Sequence, residues 1–253
     1  MMNRPLLLLS LAGLLAQSCD RDEDLLPDPT PDPHPNTVVA LQVDYTFNGA
    51  TFDPSAMLLT DSLGLPVRVG RMRFFVSRPW FLDDNGDTVA FFDDRYLLMN
   101  VFENGTIQAV GEVDAHLHTL GFGLGIDSVT NHTDPTTFTT APLNDATMHW
   151  GWNPANGYQF LQLEGFYESN GDGVVNAMDN GFLYHCGGDA LLTMKQLEVH
   201  TDANMGGNVV ITLECRMDSL FRGMNVAADP VSEVVDATTQ RLMLNLSNAL
   251  IHP

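Results

Sequence analysis

In VVALQVDYTF (residues 38–47), Val39, Leu41, Val43, Tyr45 and Phe47 alternate with Ala40, Gln42, Asp44 and Thr46. Successive side chains of a strand point to opposite faces, so this spacing predicts a half-buried strand. Similar short runs follow in RMRFFVS, TVAFFDDRYLLMN, TIQAVGEV, AHLHTLGFGLGI, GYQFLQLEG, LLTMKQLEVH and NVVITLECRM. In the last, Val209, Ile211, Leu213, Cys215 and Met217 share a face, which turns Cys215 inward. DDNGD (83–87) separates two of these runs and reads as a hairpin turn, with Asn85-Gly86 supplying positive φ. Helical spacing is confined to DATTQRLMLNLSNALI near the C-terminus. There Leu242, Leu246, Ala249 and Leu250 form one stripe behind Asp236, a candidate N-cap. Short strands with frequent turns and one terminal helix predict an all-β chain, a β-sandwich of antiparallel strands.

Two segments precede that domain. Residues 1–19, MMNRPLLLLSLAGLLAQSC, combine a basic start, a short apolar run and small residues before a cysteine, the pattern of a secretory signal. The ending Leu15-Ala16-Gln17-Ser18-Cys19 is similar to a bacterial lipobox, with its leucine one position further from the cysteine than usual. Cys19 is therefore the expected lipidation site, and plain secretion is the simpler alternative. Residues 20–37 open with DRDED, which resembles the acidic signal that sends lipoproteins of Bacteroidetes to the outer cell surface. They continue as a Pro/Asp tether whose prolines favour extended chain. The folded domain is expected over residues 38–253. The expected location is the cell envelope, as an outer-membrane lipoprotein facing either the cell surface or the periplasm, with membrane contact through the lipid anchor alone.

Charge narrows the partners. The chain carries 32 acidic against 11 basic residues, a formal charge of −21. Such a surface repels phosphate backbones and disfavours nucleic acid. It also attracts cations, calcium among them, although solubility is a sufficient reason for acidic surface on an exported protein. With Cys19 assigned to lipid, Cys186 and Cys215 are the remaining thiols and candidate disulfide partners in an oxidising compartment.

One loop matches a ligand pattern. ESNGDGVVNAMD, residues 168–179, places Glu168, Asn170, Asp172, Asn176 and Asp179 at the first, third, fifth, ninth and twelfth positions of a calcium loop. Gly173 falls at the turning sixth position, the Val174 carbonyl at the seventh and apolar Val175 at the eighth. A glutamate at the first position, an aspartate at the last and strand-like flanks depart from an EF-hand, and a polar hairpin is the alternative. Histidines offer softer ligands. His116 and His118 share a strand face, while His149 and His185 lie among apolar and aromatic neighbours, where core histidines are common. No Gly-rich phosphate loop, G-x-S-x-G or H-E-x-x-H occurs, and Glu164 and Glu168 have no nucleophile in sequence to work with. An enzyme is not expected.

MHWGWNPANGYQFLQLEG (148–165) followed by GFLYHCGG (181–188) resembles the MbnP/CorA-like family of bacterial copper-associated proteins. VALQVDYTFNG, VGRMRFFVSRPWFLDDNGD and LGFGLGIDSVTN fit the same family in order, so the resemblance spans roughly residues 38–220. It implies an exported copper-binding β-sandwich in which a tryptophan is oxidised to kynurenine by a partner diheme peroxidase of the MauG type. Carried over by position, Trp150 and Trp152 become the oxidation candidates and His185 and His149 the copper-ligand candidates. Cys186 and Gln162 depart from the family pattern, which more usually has an apolar residue and a lysine there. The competing reading is a calcium-stabilised surface module for binding or adhesion, with both tryptophans in the core.

Overall fold

The computed structural model describes residues 36–151 and 157–253. Fourteen strands run through these residues. The first seven are β1 (Thr37–Phe47), β2 (Ala50–Thr51), β3 (Leu59–Thr60), β4 (Pro66–Leu82), β5 (Thr88–Phe91), β6 (Tyr96–Asn100) and β7 (Ile107–Val113). The others are β8 (Ala115–Leu124), β9 (Gln159–Tyr167), β10 (Asn180–Gly187), β11 (Thr193–Ala203), β12 (Gly207–Arg216), β13 (Val231–Ser232) and β14 (Leu250–Ile251). A one-turn helix α1 (Ser128–Asn131) and a longer α2 (Ala237–Ala249) complete the α-helical elements. None of the described helices is long and apolar enough to cross a membrane.

The strands form two sheets. The smaller has the order β14-β12-β1-β2, with β7 also on β1. The larger has the order β11-β8-β4-β9-β10-β13, with β3, β5 and β6 also on β4. In β1 the predicted alternation holds, with Val39, Leu41, Val43 and Tyr45 all buried. Not every pairing is antiparallel. β1 runs parallel to β12, Leu41 beside Ile211 and Val43 beside Leu213, and β10 runs parallel to β13. Parallel neighbours require a long crossover, and here the larger sheet lies in the connection between β1 and β12.

Two expected elements differ in detail. TVAFFDDRYLLMN is two strands rather than one, because the chain turns at Phe92–Arg95, closed by an Arg95 N–H to Phe92 carbonyl bond of 3.1 Å. In the DDNGD hairpin only Gly86 has positive φ, at 85°. Asp83 supplies the rest of the turn by accepting the amides of Asn85 and Asp87 at 2.8 and 2.9 Å.

At the C-terminal end, Asp236 caps α2 as expected, accepting the Thr238 and Thr239 amides while the Thr239 hydroxyl receives the Asp236 N–H. Leu242, Leu246, Ala249 and Leu250 are all completely buried. Each leucine contributes about 1.5–3 kcal/mol on burial, so packing against β10, β11 and β12 holds this helix more than propensity does. Cys186 and Cys215 are buried unpaired thiols on different sheets, so the bridge considered from the sequence is not made. The Cys186 thiol faces the Thr239 carbonyl at 3.9 Å, and burial pushes both thiols up, Cys215 to about 12.

Candidate metal centre

Strand alternation over Thr147 to Gly151 would put Met148 and Trp150 on one face and His149 and Gly151 on the other, but this stretch is not a continuous strand. Residues Ala146–Met148 form a single 3-10 turn, and only His149 makes an isolated antiparallel bridge, to Tyr158. Polar groups impose this shape. Asp145 accepts the Thr147 amide at 2.9 Å and is itself held by Arg73 of β4 at 3.0 Å. Arg73 also donates to the Thr147 hydroxyl and to Gln162, while Gln162 donates to the Thr147 carbonyl at 2.6 Å. Gln162 is nearly fully buried, and it pins the turn to β9 through this network.

The turn delivers two neighbouring rings to different surroundings. His149 is 8% exposed and lies edge-on against Tyr158, ring centres 5.1 Å apart. Burial holds its imidazole below the usual range, partly offset by Asp134. Trp150 is 2% exposed and packs against His185 of β10, ring centres 5.8 Å apart. Gly187, two residues on in β10, makes room for this indole. A Cβ there would lie 2.9 Å from Trp150 Nε1 and 2.5 Å from the Tyr158 carbonyl oxygen. Trp152 falls outside the described residues, as do Cys19 and the tether up to residue 35.

His185 sits between two carboxylates. Its Nε2 is 2.9 Å from Glu164 Oε1, and Glu164 is also paired with Arg71 at 3.0 Å. An ionised carboxylate can only accept, so the Nε2 atom carries the hydrogen of this bond. On the other side Nδ1 is buried, lies 3.2 Å from Glu233 Oε1 and makes no hydrogen bond. The register explains Glu233: β13 runs parallel to β10 with Tyr184 beside Ser232, so the next residues, His185 and Glu233, come together. Trp150 and Glu233 line a cleft of about 380 Å³ with His132, Gly187, Gly188, Asp189, Val234 and Val235. Asp189 faces His132 at 3.3 Å, and hydrogen bonds from Ser128 and Asn131 help hold its carboxyl below the usual range.

Of the residues singled out from sequence, the structure joins Trp150 with His185 and leaves His149 elsewhere. Among the contacts of the described residues, none links His149 to His185. Glu233 and Arg71 carry no sequence signal, since strand pairing brings them in, and Asp189 enters from the 3-10 turn that follows β10. The residues able to hold a metal here are His185, through the Nδ1 left unbonded while a carboxylate holds Nε2, and Glu233, 3.2 Å from that nitrogen.

The 168–179 loop joins β9 to β10 as a succession of turns. Glu168 accepts the Asn170 and Gly171 amides, Asn170 that of Asp172, Asp172 that of Val174, and Asn176 that of Met178. Asp179 bridges the ends by accepting from Ser169 and Asn176 at 3.0 Å each. Gly173 has φ of 78°, fitting its turning position, and Val175 is buried. The Val174 carbonyl accepts from Asn176 at 3.1 Å. Glu168 Oε2 is buried without a hydrogen bond. His116 and His118 lie on β8, on the side opposite buried Leu117, and do not line the cleft.

Comparison with known proteins agrees with the sequence resemblance. One solved structure, MbnP from Methylosinus trichosporium, is 14% identical, with 74% of this chain and 78% of that chain covered at a TM-score of 0.49. No curated protein matches. The family model for MbnP matches residues 36–237, across both sheets, the Trp150–His185 pair and the acidic loop, and the chain belongs to the MbnP family.

Proposed function

We propose that this chain is an exported lipoprotein, anchored through Cys19, that binds copper at His185, between Glu233 and Trp150 of the cleft wall. The observation that carries this reading is the pair of ring nitrogens on His185. Glu164 fixes Nε2 as a donor, leaving the buried Nδ1 lone pair unbonded 3.2 Å from the Glu233 carboxylate. Two acceptors in that position repel unless a proton or a metal cation lies with them, and imidazole nitrogen suits copper. Trp150 is the neighbouring indole, and its oxidation to kynurenine by a partner diheme peroxidase of the MauG type would add amine and carbonyl groups beside His185. The peroxidase supplies the oxidant, so the chain is substrate rather than catalyst. His149 lies edge-on to Tyr158 and is the weaker ligand candidate.

Copper titration of protein from the native host tests the assignment, with peptide mass mapping of the segment bearing Trp150 and Trp152. His185→Ala is expected to weaken copper binding at least about tenfold, as loss of even a supporting group does at metal sites, and His149→Ala to act less. Unchanged affinity in His185→Ala sinks the ligand assignment. Two unmodified tryptophans, in cells that express the peroxidase, sink the oxidation.

A second reading concerns the acidic loop. Glu168 Oε2 is shielded and unbonded at the first position of a calcium-like loop whose Asn170, Asp172, Asn176 and Asp179 oxygens alternate along it. Calcium at that loop stabilises the native state by mass action, so the melting temperature is expected to rise with calcium in the parent protein and not in Asp172→Ala. An equal rise in the variant excludes the loop.

A further inference from the structure

The sharpest cluster of ligand atoms lies elsewhere, on the outer side of β8. Asp84, His118 and His200 each offer one ligand atom, and these atoms all lie within 4.8 Å of one another. Among the described residues, no other trio of histidine, cysteine or carboxylate side chains gathers so closely. The three come from separate segments: the β4–β5 hairpin turn, β8 and β11.

Strand pairing explains the meeting. β11 pairs antiparallel with β8, Glu198 opposite Thr119 and Thr201 opposite Leu117. Two residues of β11, Val199 and His200, therefore stand against His118 alone, a bulge. The extra residue lets Val199 stay buried while His200 turns outward with φ of 42°, a left-handed conformation unusual for a residue with a Cβ. Its ring ends edge-on to that of His118, centres 4.4 Å apart. Asp84 is presented by the turn that Asp83 closes. Further polar groups surround the trio. His118 Nδ1 is 3.0 Å from the Thr119 hydroxyl, His116 Nε2 is 3.9 Å from Asp84 and its Nδ1 2.6 Å from Asp202, and His200 Nε2 is 3.9 Å from Glu198.

From this geometry we propose that Asp84, His118 and His200 form a second metal site, for a borderline divalent ion of the zinc or copper(II) class. Two imidazoles and a carboxylate are the donors such ions prefer, whereas magnesium and calcium prefer oxygen alone. Ligands on a tetrahedral ion stand roughly 3.3 Å apart, so the trio needs only a modest closing movement to grip one. Two of the three side chains are exposed and Asp84 sits on a hairpin tip, which allows that movement. Water fills the remaining position, and the bound ion staples the β4–β5 hairpin to the β8–β11 pair.

The test uses the chelator-treated full chain titrated with zinc chloride alone and with copper(II) chloride alone, each in millimolar magnesium. One site is expected to survive in His185→Ala and Asp172→Ala, to bind copper(II) more tightly than zinc, and to resist magnesium. His118→Ala and His200→Ala, each shown folded by circular dichroism, are expected to weaken zinc binding at least about tenfold. Loss of all zinc binding in His185→Ala, or unchanged binding in both His118→Ala and His200→Ala, overturns the proposal. Competition by magnesium overturns it too, since that marks a carboxylate cluster rather than a nitrogen site.

Discussion

The His185 site and the His118–His200 cluster use the same side chain in opposite ways. His185 is 12% exposed on its side chain, wedged between Glu164 and Glu233 and roofed by an indole. His200 is 58% exposed on its side chain, turned outward on a bulge. At the first site packing and the bond to Glu164 hold the imidazole before any ligand arrives. At the edge the backbone brings the donors close and leaves two of the three exposed. Preorganisation of the first kind comes with packing energy, whereas assembly of the second kind costs the fold little and can be removed at little cost.

Stability measurements separate the two most strongly. Trp150→Ala empties a fully packed volume against His185 and Gly187, and is expected to destabilise the protein by about 3–5 kcal/mol. His200→Ala removes an exposed ring and keeps the bulge, so a change within about 0.5 kcal/mol is expected. Urea unfolding of both variants, freed of metal, reads the contrast. Comparable losses would mean that the edge cluster carries packing of its own, and the distinction drawn between the two regions would fail.

The same contrast governs what could be read from the chain. Alternation in VVALQVDYTF and the stripe before Leu250 report local burial, so β1 and α2 were legible, cap included. Trp150 and His185 were legible as a family pattern, His185 on the neighbouring β9–β10 hairpin and Trp150 just ahead of β9. Glu233 was not, because a parallel strand of two residues places it, and strands that short leave no period. His118 stood out beside His116, yet its partners did not. Asp84 and His200 reach it only through long-range register and a bulge, and a bulge is one extra residue that disrupts the alternation used to find strands. The turn before Trp150 misled for a related reason: Met148 and Trp150 are both buried, but a 3-10 turn held by Arg73 and Asp145 delivers them, not a strand.

A finer test lies in the direction in which each region moves a histidine's protonation. His149, beside the cleft's tryptophan, is held below the ordinary value near 6.5 by burial. His116, beside the edge cluster, is held above it, chiefly by its hydrogen bond to Asp202. The signs for stability are opposite. As pH falls through the unfolded value near 6.5, the unfolded chain takes a proton that folded His149 still refuses, so its contribution is lost on acidification. Folded His116 binds its proton before the unfolded chain does, so its contribution is complete below 6.5 and is lost as pH rises through the raised value. Imidazole C–H resonances of the metal-free protein, assigned with His149→Gln and His116→Gln, are expected to titrate on opposite sides of 6.5. If both titrate on the same side, burial and exposure do not divide these regions as the packing around Tyr158 and the open contact with Asp202 require. Opposite displacements would leave neutral imidazole dominating beside the cleft and protonated imidazole beside the edge.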